Sequence, residues 1–225
     1  MTETTISVQG NHSAWYPAER ATVTIAVSFD GPSRQPVFKA ASASLDAVRA
    51  TVDGLHDAST GPITWWSANS VRVWSQRPWN NQGKQLEPVH TAAFELTAKF
   101  KDFEALASWI EAVVAIPGTN VRSIDWTLTE ARQTSVLTEA RSRAVKDAVS
   151  KATVYAQSIG LGSVTATAIA DPGMLGDGAS VAEQGFGKFG GMTRGQHQVG
   201  DGAPLALKPE DIEVAASVDA RFIAR

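Results

Sequence analysis

The chain contains no cysteine. That absence removes disulfides, thiolate nucleophiles and cysteine metal ligands together. Histidine is scarce too: His12, His56, His90 and His197 are the four present. None has a partner at metal-ligand spacing, and no Glu-x-x-His pattern sets ligands on one helix face. No Gly-x-Ser-x-Gly elbow offers a nucleophile. Asp171, Asp177 and Asp201 are too scattered for a calcium loop, whose oxygen ligands alternate closely. No cofactor and no metal ion are therefore expected, and the chain reads as a non-enzyme.

A basic excess is also lacking. The formal net charge is −3 and the pI about 5.8, so no nucleic-acid partner is expected. No run approaches the roughly 18 apolar residues of a membrane helix, so no transmembrane segment is expected. No basic segment followed by an apolar stretch opens the chain, and the expectation on that ground is a cytoplasmic protein.

What is present in abundance is alanine at a fixed step. Ala140, Ala144, Ala148, Ala152 and Ala156 recur every four residues, and Gly160 closes the run. Beside them run Glu139, Arg143, Asp147 and Lys151, also every four. The spacing predicts one long helix over about 130–159, with a smooth ridge of methyl groups, a flanking charged stripe and a glycine stop. Such a ridge lets another backbone approach closely. The charged stripe reads as a solvated face.

Other segments follow two periods. Ile6 and Val8 begin a short strand that ends at Gly10 on this reading. Ala21, Val23, Ile25, Val27 and Phe29 alternate with small polar residues, as in a half-buried strand. Val37, Ala41, Leu45, Val48 and Val52 follow at helical spacing. Residues 63–76 and 89–101 read as two long strands around a polar turn, an extended hairpin. Phe103, Leu106, Trp109, Ile110 and Val113 mark a second helix, ended by Pro117-Gly118. Val121 to Leu128 is a strand with a shift of face between Val121 and Ile124. Val164–Ala170 and Ile212–Phe222 are further strands. The order ββα-ββα-βα-ββ implies an α+β fold of mostly antiparallel sheets with helices packed on one face.

Residues 171–204 hold ten of the 18 glycines. A structureless segment of this length is unusual inside a domain, and it reads as mobile or ordered by a partner. Within it, Gly185-Phe186-Gly187-Lys188-Phe189-Gly190 spells G-x-G-x-x-G. The fingerprint needs an entering strand and a leaving helix to aim amides at a pyrophosphate. Neither is expected here, so the glycines read as composition and not as a nucleotide site. Phe186, Phe189 and Met192 are apolar side chains available for docking.

The start Ile6-Ser7-Val8-Gln9-Gly10, the long hairpin, Glu139-Ala140-Arg141 with its alanines, and Ile159-Gly160-Leu161-Gly162 together resemble the SIMPL domain (DUF541) family. The likeness covers nearly the whole chain and is most specific over 139–162. It implies one SIMPL-like domain over 1–225, with room for two sublobes. The family includes a protein that associates with a pelle-like kinase, and bacterial periplasmic proteins linked to oxidative stress, some of them ring-shaped oligomers. The resemblance supplies no catalytic motif. It implies a stress-related protein working by homo-oligomeric assembly, as scaffold, ring or shell, with itself as partner and a further protein partner left open. The alternatives are a module that binds a ligand or peptide with 171–204, and an enzyme of unrecognised class.

Trp65, Trp66, Trp74 and Trp79 crowd one hairpin. Neighbours on a strand face opposite sides, so Trp65 and Trp66 cannot both enter one core. The remaining tryptophan face has to be exposed, covered by a second layer, or buried by another subunit. Trp65, Trp66, Trp74, Trp79, Phe186, Phe189 and Met192 are therefore the candidate interface residues.

Overall fold

The structure is a computed structural model that describes residues 3–175 and 207–225. Phe186, Phe189, Met192 and the G-x-G-x-x-G run lie outside the described residues. Among those described are seven strands and three helices: β1 (Thr4–Tyr16), β2 (Arg20–Gly31), α1 (Arg34–Asp53), β3 (Ile63–Gln76), β4 (Val89–Phe100), α2 (Phe103–Val114), β5 (Thr119–Thr127), α3 (Glu130–Ser158), β6 (Val164–Ala170) and β7 (Ile212–Ala224). The order is the ββα-ββα-βα-ββ of an antiparallel α+β fold. The chain divides into two compact units. One is built from β1, α3, β6 and β7; the other spans 17–128, between β1 and α3 in the sequence, together with residues 207–211.

The second unit has its sheet in the order β3-β4-β2-β5, with every neighbour antiparallel. The chain path β2-α1-β3-β4-α2-β5 over that order is the ferredoxin-like split βαβ. Strand alternation explains its core. Ala21, Val23, Ile25 and Val27 of β2 share a face with Ala92, Phe94, Leu96, Ala98 and Phe100 of β4. Val37, Ala41, Val48 and Val52 of α1, and Leu106, Trp109, Ile110 and Val113 of α2, close over that same face. The buried indole is satisfied: Trp109 Nε1 donates to Thr51 Oγ1 at 2.9 Å, and its ring lies 5.1 Å from that of Phe100. Asp102 caps α2 by accepting from the amides of Glu104 and Ala105, as orphan donors at a helix start require. The face shift in β5 is a bulge: Thr24 pairs Ser123, Ile25 pairs Val121, and Arg122 is left out.

The other unit has the order β1-β7-β6 with α3 resting mainly on β1 and β7. The alanine ladder is its contact face, with Ala144, Ala148, Ala152 and Ala156 buried against Ile6, Val218, Ala220 and Phe222. Gly160 ends α3 as expected, at φ +78°. Its amide bonds Gln157 O at 3.0 Å, and the Leu161 amide bonds Ala156 O at 2.9 Å, the paired bonds of a Schellman stop.

The expectation of a strand ending at Gly10 is corrected. β1 runs straight through Gly10 to Tyr16, paired with β7 along its whole length. Gly10 is no turn. A Cβ there would lie 2.0 Å from Ala144 O and 2.8 Å from Ala148 Cβ. The glycine lets the strand touch the helix backbone, which is the close approach that the alanine ridge predicts.

Candidate interaction surface

The β3–β4 hairpin holds the four candidate tryptophans. β4 is central, so its backbone is paired on both edges by β3 and β2. β3 is an edge strand. Apart from one bridge between Ile63 and His56, no strand among the described residues pairs its outer side. At 14 residues it spans roughly 45 Å at the usual rise. It carries two register shifts, at Ile63/Trp65 and Ala68/Ser70, which twist the edge locally.

The register sorts the aromatics by face. Trp66 opposes Ala98, shares the core side, and packs on the core with the Arg49 guanidinium 5.7 Å from its ring centre. Trp65 opposes Lys99 on the other face and is 49% exposed. Trp74 opposes Thr91 on that same face and is 44% exposed, and Trp79 beyond the strand is 67% exposed. The first and second of these exposed rings stand eight pairs apart along β4, so Trp65 lies well away from Trp74.

Two more apolar side chains are exposed on the distal half: Leu86 in the turn, and Val71, which opposes Phe94 and so lies on the other face from Trp74. Sequence reading missed both, because Val71 sits within an ordinary strand alternation and Leu86 stands alone in a polar turn. The turn itself is well made. Asn80 Oδ1 accepts from the amides of Gln82 and Lys84 at 3.0 and 2.8 Å, and Gly83 takes φ +72°. Leu86 N bonds Pro78 O at 2.8 Å, and Trp79 bridges Gln85. The tip therefore presents Trp79 and Leu86 on a defined backbone and not on a slack loop. Ser75 Oγ and His90 Nδ1 lie 2.6 Å apart beside it. Arg72, Arg77, Lys84 and Lys99 against Glu87 and Glu95 give the hairpin a slight basic excess.

Entry into β3 is set by Asp57. Its carboxylate accepts from the Ser59 and Thr60 amides, both at 2.8 Å. Those backbone bonds, Thr60 first, hold its pKa below the ordinary carboxylate value. Among the described residues no group of three or more histidine, aspartate or glutamate side chains is placed to hold a metal ion. Among them no helix is long and apolar enough to cross a membrane.

Comparison with known proteins agrees with the element pattern. The family model SIMPL, described as a protein of unknown function (DUF541), matches residues 6–222. No curated protein matches the chain. Among solved structures, AtUAH in complex with glyoxylate shares 11% identity over 59% of this chain and 34% of that one, with a TM-score of 0.30. An amidase of the hydantoinase/carbamoylase family from Burkholderia phymatum shares 16% identity over 60% and 33%, with a TM-score of 0.27. The chain spans about a third of the length of these structures, and the likeness is too slight to assign an activity.

Proposed function

The chain belongs to the SIMPL (DUF541) family, and from that premise we propose that it works without catalysis, by assembling with copies of itself through the β3–β4 hairpin. One observation carries the reading. Trp74 and Trp79, with Leu86, are exposed on the distal half of an edge strand and its ordered turn. Tryptophan is enriched at protein interfaces, where a large rigid ring is buried at small entropic cost. An edge strand offers a row of backbone donors and acceptors that a second copy can complete. The flanking arginines supply the polar rim that such contacts carry.

Native mass spectrometry of the full chain tests it. The wild type should give one discrete oligomer at micromolar concentration. Trp74→Glu/Trp79→Glu should give smaller species with an unchanged far-UV circular dichroism spectrum. A monomeric wild type, or a folded variant of wild-type mass, overturns the reading.

A further inference from the structure

Each sheet has two edge strands, β1 and β6 in one and β3 and β5 in the other, and β1 is set apart by two charged side chains laid over its open side. β1 is an edge strand of the other unit, 13 residues long, and among the described residues β7 is the one strand that pairs it. Its backbone groups point outward at every second residue. Asn11 is one of these, because its amide leaves the sheet and donates to Asp147 Oδ2 at 2.8 Å. Gln9 is the next, and its carbonyl accepts from Lys151 Nζ at 2.9 Å. The two side chains also bond each other, at 2.7 Å. Between their backbone partners sits Gly10, against Ala144 and Ala148.

These facts form one chain of cause. An aspartate is short and reaches a neighbouring strand only if the helix lies very close. Gly10 and the alanine ridge allow that approach. The charges one position before Ala148 and Ala152 then fall over the strand's outer edge. The preceding pair on the same stripe, Glu139 and Arg143, bond each other at 2.8 Å and are more exposed. The stripe thus has two parts: one solvated pair and one that acts on the strand.

We propose that Asp147 and Lys151 are an edge guard: by occupying the Asn11 amide and the Gln9 carbonyl, they prevent β1 from accepting a strand from a second copy of the chain. Each added strand would need those two groups at the centre of β1, and both are held by charged partners stronger than a neutral amide or carbonyl. The guard closes the edge of β1 and does not act on β3, which belongs to the other sheet. It stands independently of the hairpin reading, since Trp74→Glu/Trp79→Glu does not touch it.

The test uses the full chain and a matched control. Asp147→Ala/Lys151→Ala removes the guard; Glu139→Ala/Arg143→Ala removes an ion pair of the same spacing that touches no strand. Hydrogen exchange read at the Asn11 amide should quicken roughly tenfold in the first, as loss of a bond to a charged acceptor implies, and stay unchanged in the second. Native mass spectra should show species larger than wild type for the first alone. Adding Ser7→Pro, which deletes an outward-facing donor of β1, should reverse that gain. Lys151→Met alone keeps the stem and loses the donor, and should show a smaller gain in mass. An unchanged Asn11 exchange rate overturns the proposal. So does a folded guard-free variant of wild-type mass, or a gain that Ser7→Pro leaves intact. Should the double variant not fold, an unchanged mass for Lys151→Met overturns it alone.

Discussion

At Gly10 a hydrogen atom stands where any other residue would place a carbon, and the helix backbone occupies the space beyond it. Gly10→Ala puts that carbon 2.0 Å from a carbonyl oxygen. Neither β1 nor α3 can relax by a rotamer change, since the clash is with backbone. The expected loss is about 3 kcal/mol, the upper end of overpacking costs, read as a lowered denaturation midpoint. Gly83→Ala is the contrast: it meets no atom within 4 Å and costs its positive φ alone, about 1 kcal/mol.

Asp147 belongs to the same scale. Hydrogen bonds from Lys151 and from the Asn11 amide hold its pKa below the ordinary carboxylate value, with the charges of Lys151 and His12 adding to them. A carboxylate whose folded pKa is depressed contributes stability that is present above its unfolded pKa. That contribution is lost as pH falls through the folded value. Asp147→Asn should therefore be less stable than wild type at neutral pH, and the gap should close in the acid range below about pH 4. Urea titrations at neutral and acid pH check this; a gap that widens in acid would contradict it.

At the scale of elements, α3 is a helix whose buried face is nearly featureless. It offers methyl groups to Ile6, Val218 and Phe222 and to the strand backbone at Gly10, so its fit depends on the thinness of the helix face. Ala148→Leu inserts a branched side chain at a residue with no exposed surface. Leucine favours helix about as well as most residues, so propensity would not mask the effect. The expected destabilisation is about 1–3 kcal/mol, measured by thermal or chemical unfolding. In the other unit the core depends on bulk instead. Phe100→Ala empties a fully buried site against Trp109 and Ile63, and about 3–5 kcal/mol is expected.

The whole molecule is two units on one chain, and one of them is an insertion. The strands that begin and end the inserted unit are sheet neighbours: Arg20 pairs Thr127, and the Glu19 amide bonds Thr127 O at 2.9 Å. Ends that meet in space can be joined or cut without straining what lies between them. A fragment of residues 17–128 should therefore fold cooperatively, with the circular dichroism of a mixed α/β unit. It lacks Leu207, which packs against the same core, so its midpoint should be lower than in the full chain. A fragment with no cooperative transition would show that this unit depends on the rest.

Much of this was legible without coordinates, because it is local. The period of two in β2 and β7, the period of 3.6 in α1 and α2, and the four-residue alanine step depend on neighbours within a few positions. The Gly160 stop and the bulge in β5 are local too. The alanine ridge even announced a close backbone contact. What it could not name was the partner. Gly10 lies more than a hundred residues from Ala144, and a glycine after an alternating run reads equally well as a stop or as a point of contact. The same limit applies to the hairpin. Alternation required Trp65 and Trp66 to part, but which one entered the core depended on register with β4, and that register on two bulges. The charges of α3 repeat identically along the stripe, so nothing local separates Glu139 and Arg143 from Asp147 and Lys151. Sequence by itself determined the elements, their order and the family. Only the tertiary structure decided which strand became an edge, which side chains closed it and which tryptophans stayed outside, because strand order and helix-to-strand distance are set by contacts between residues far apart in the chain.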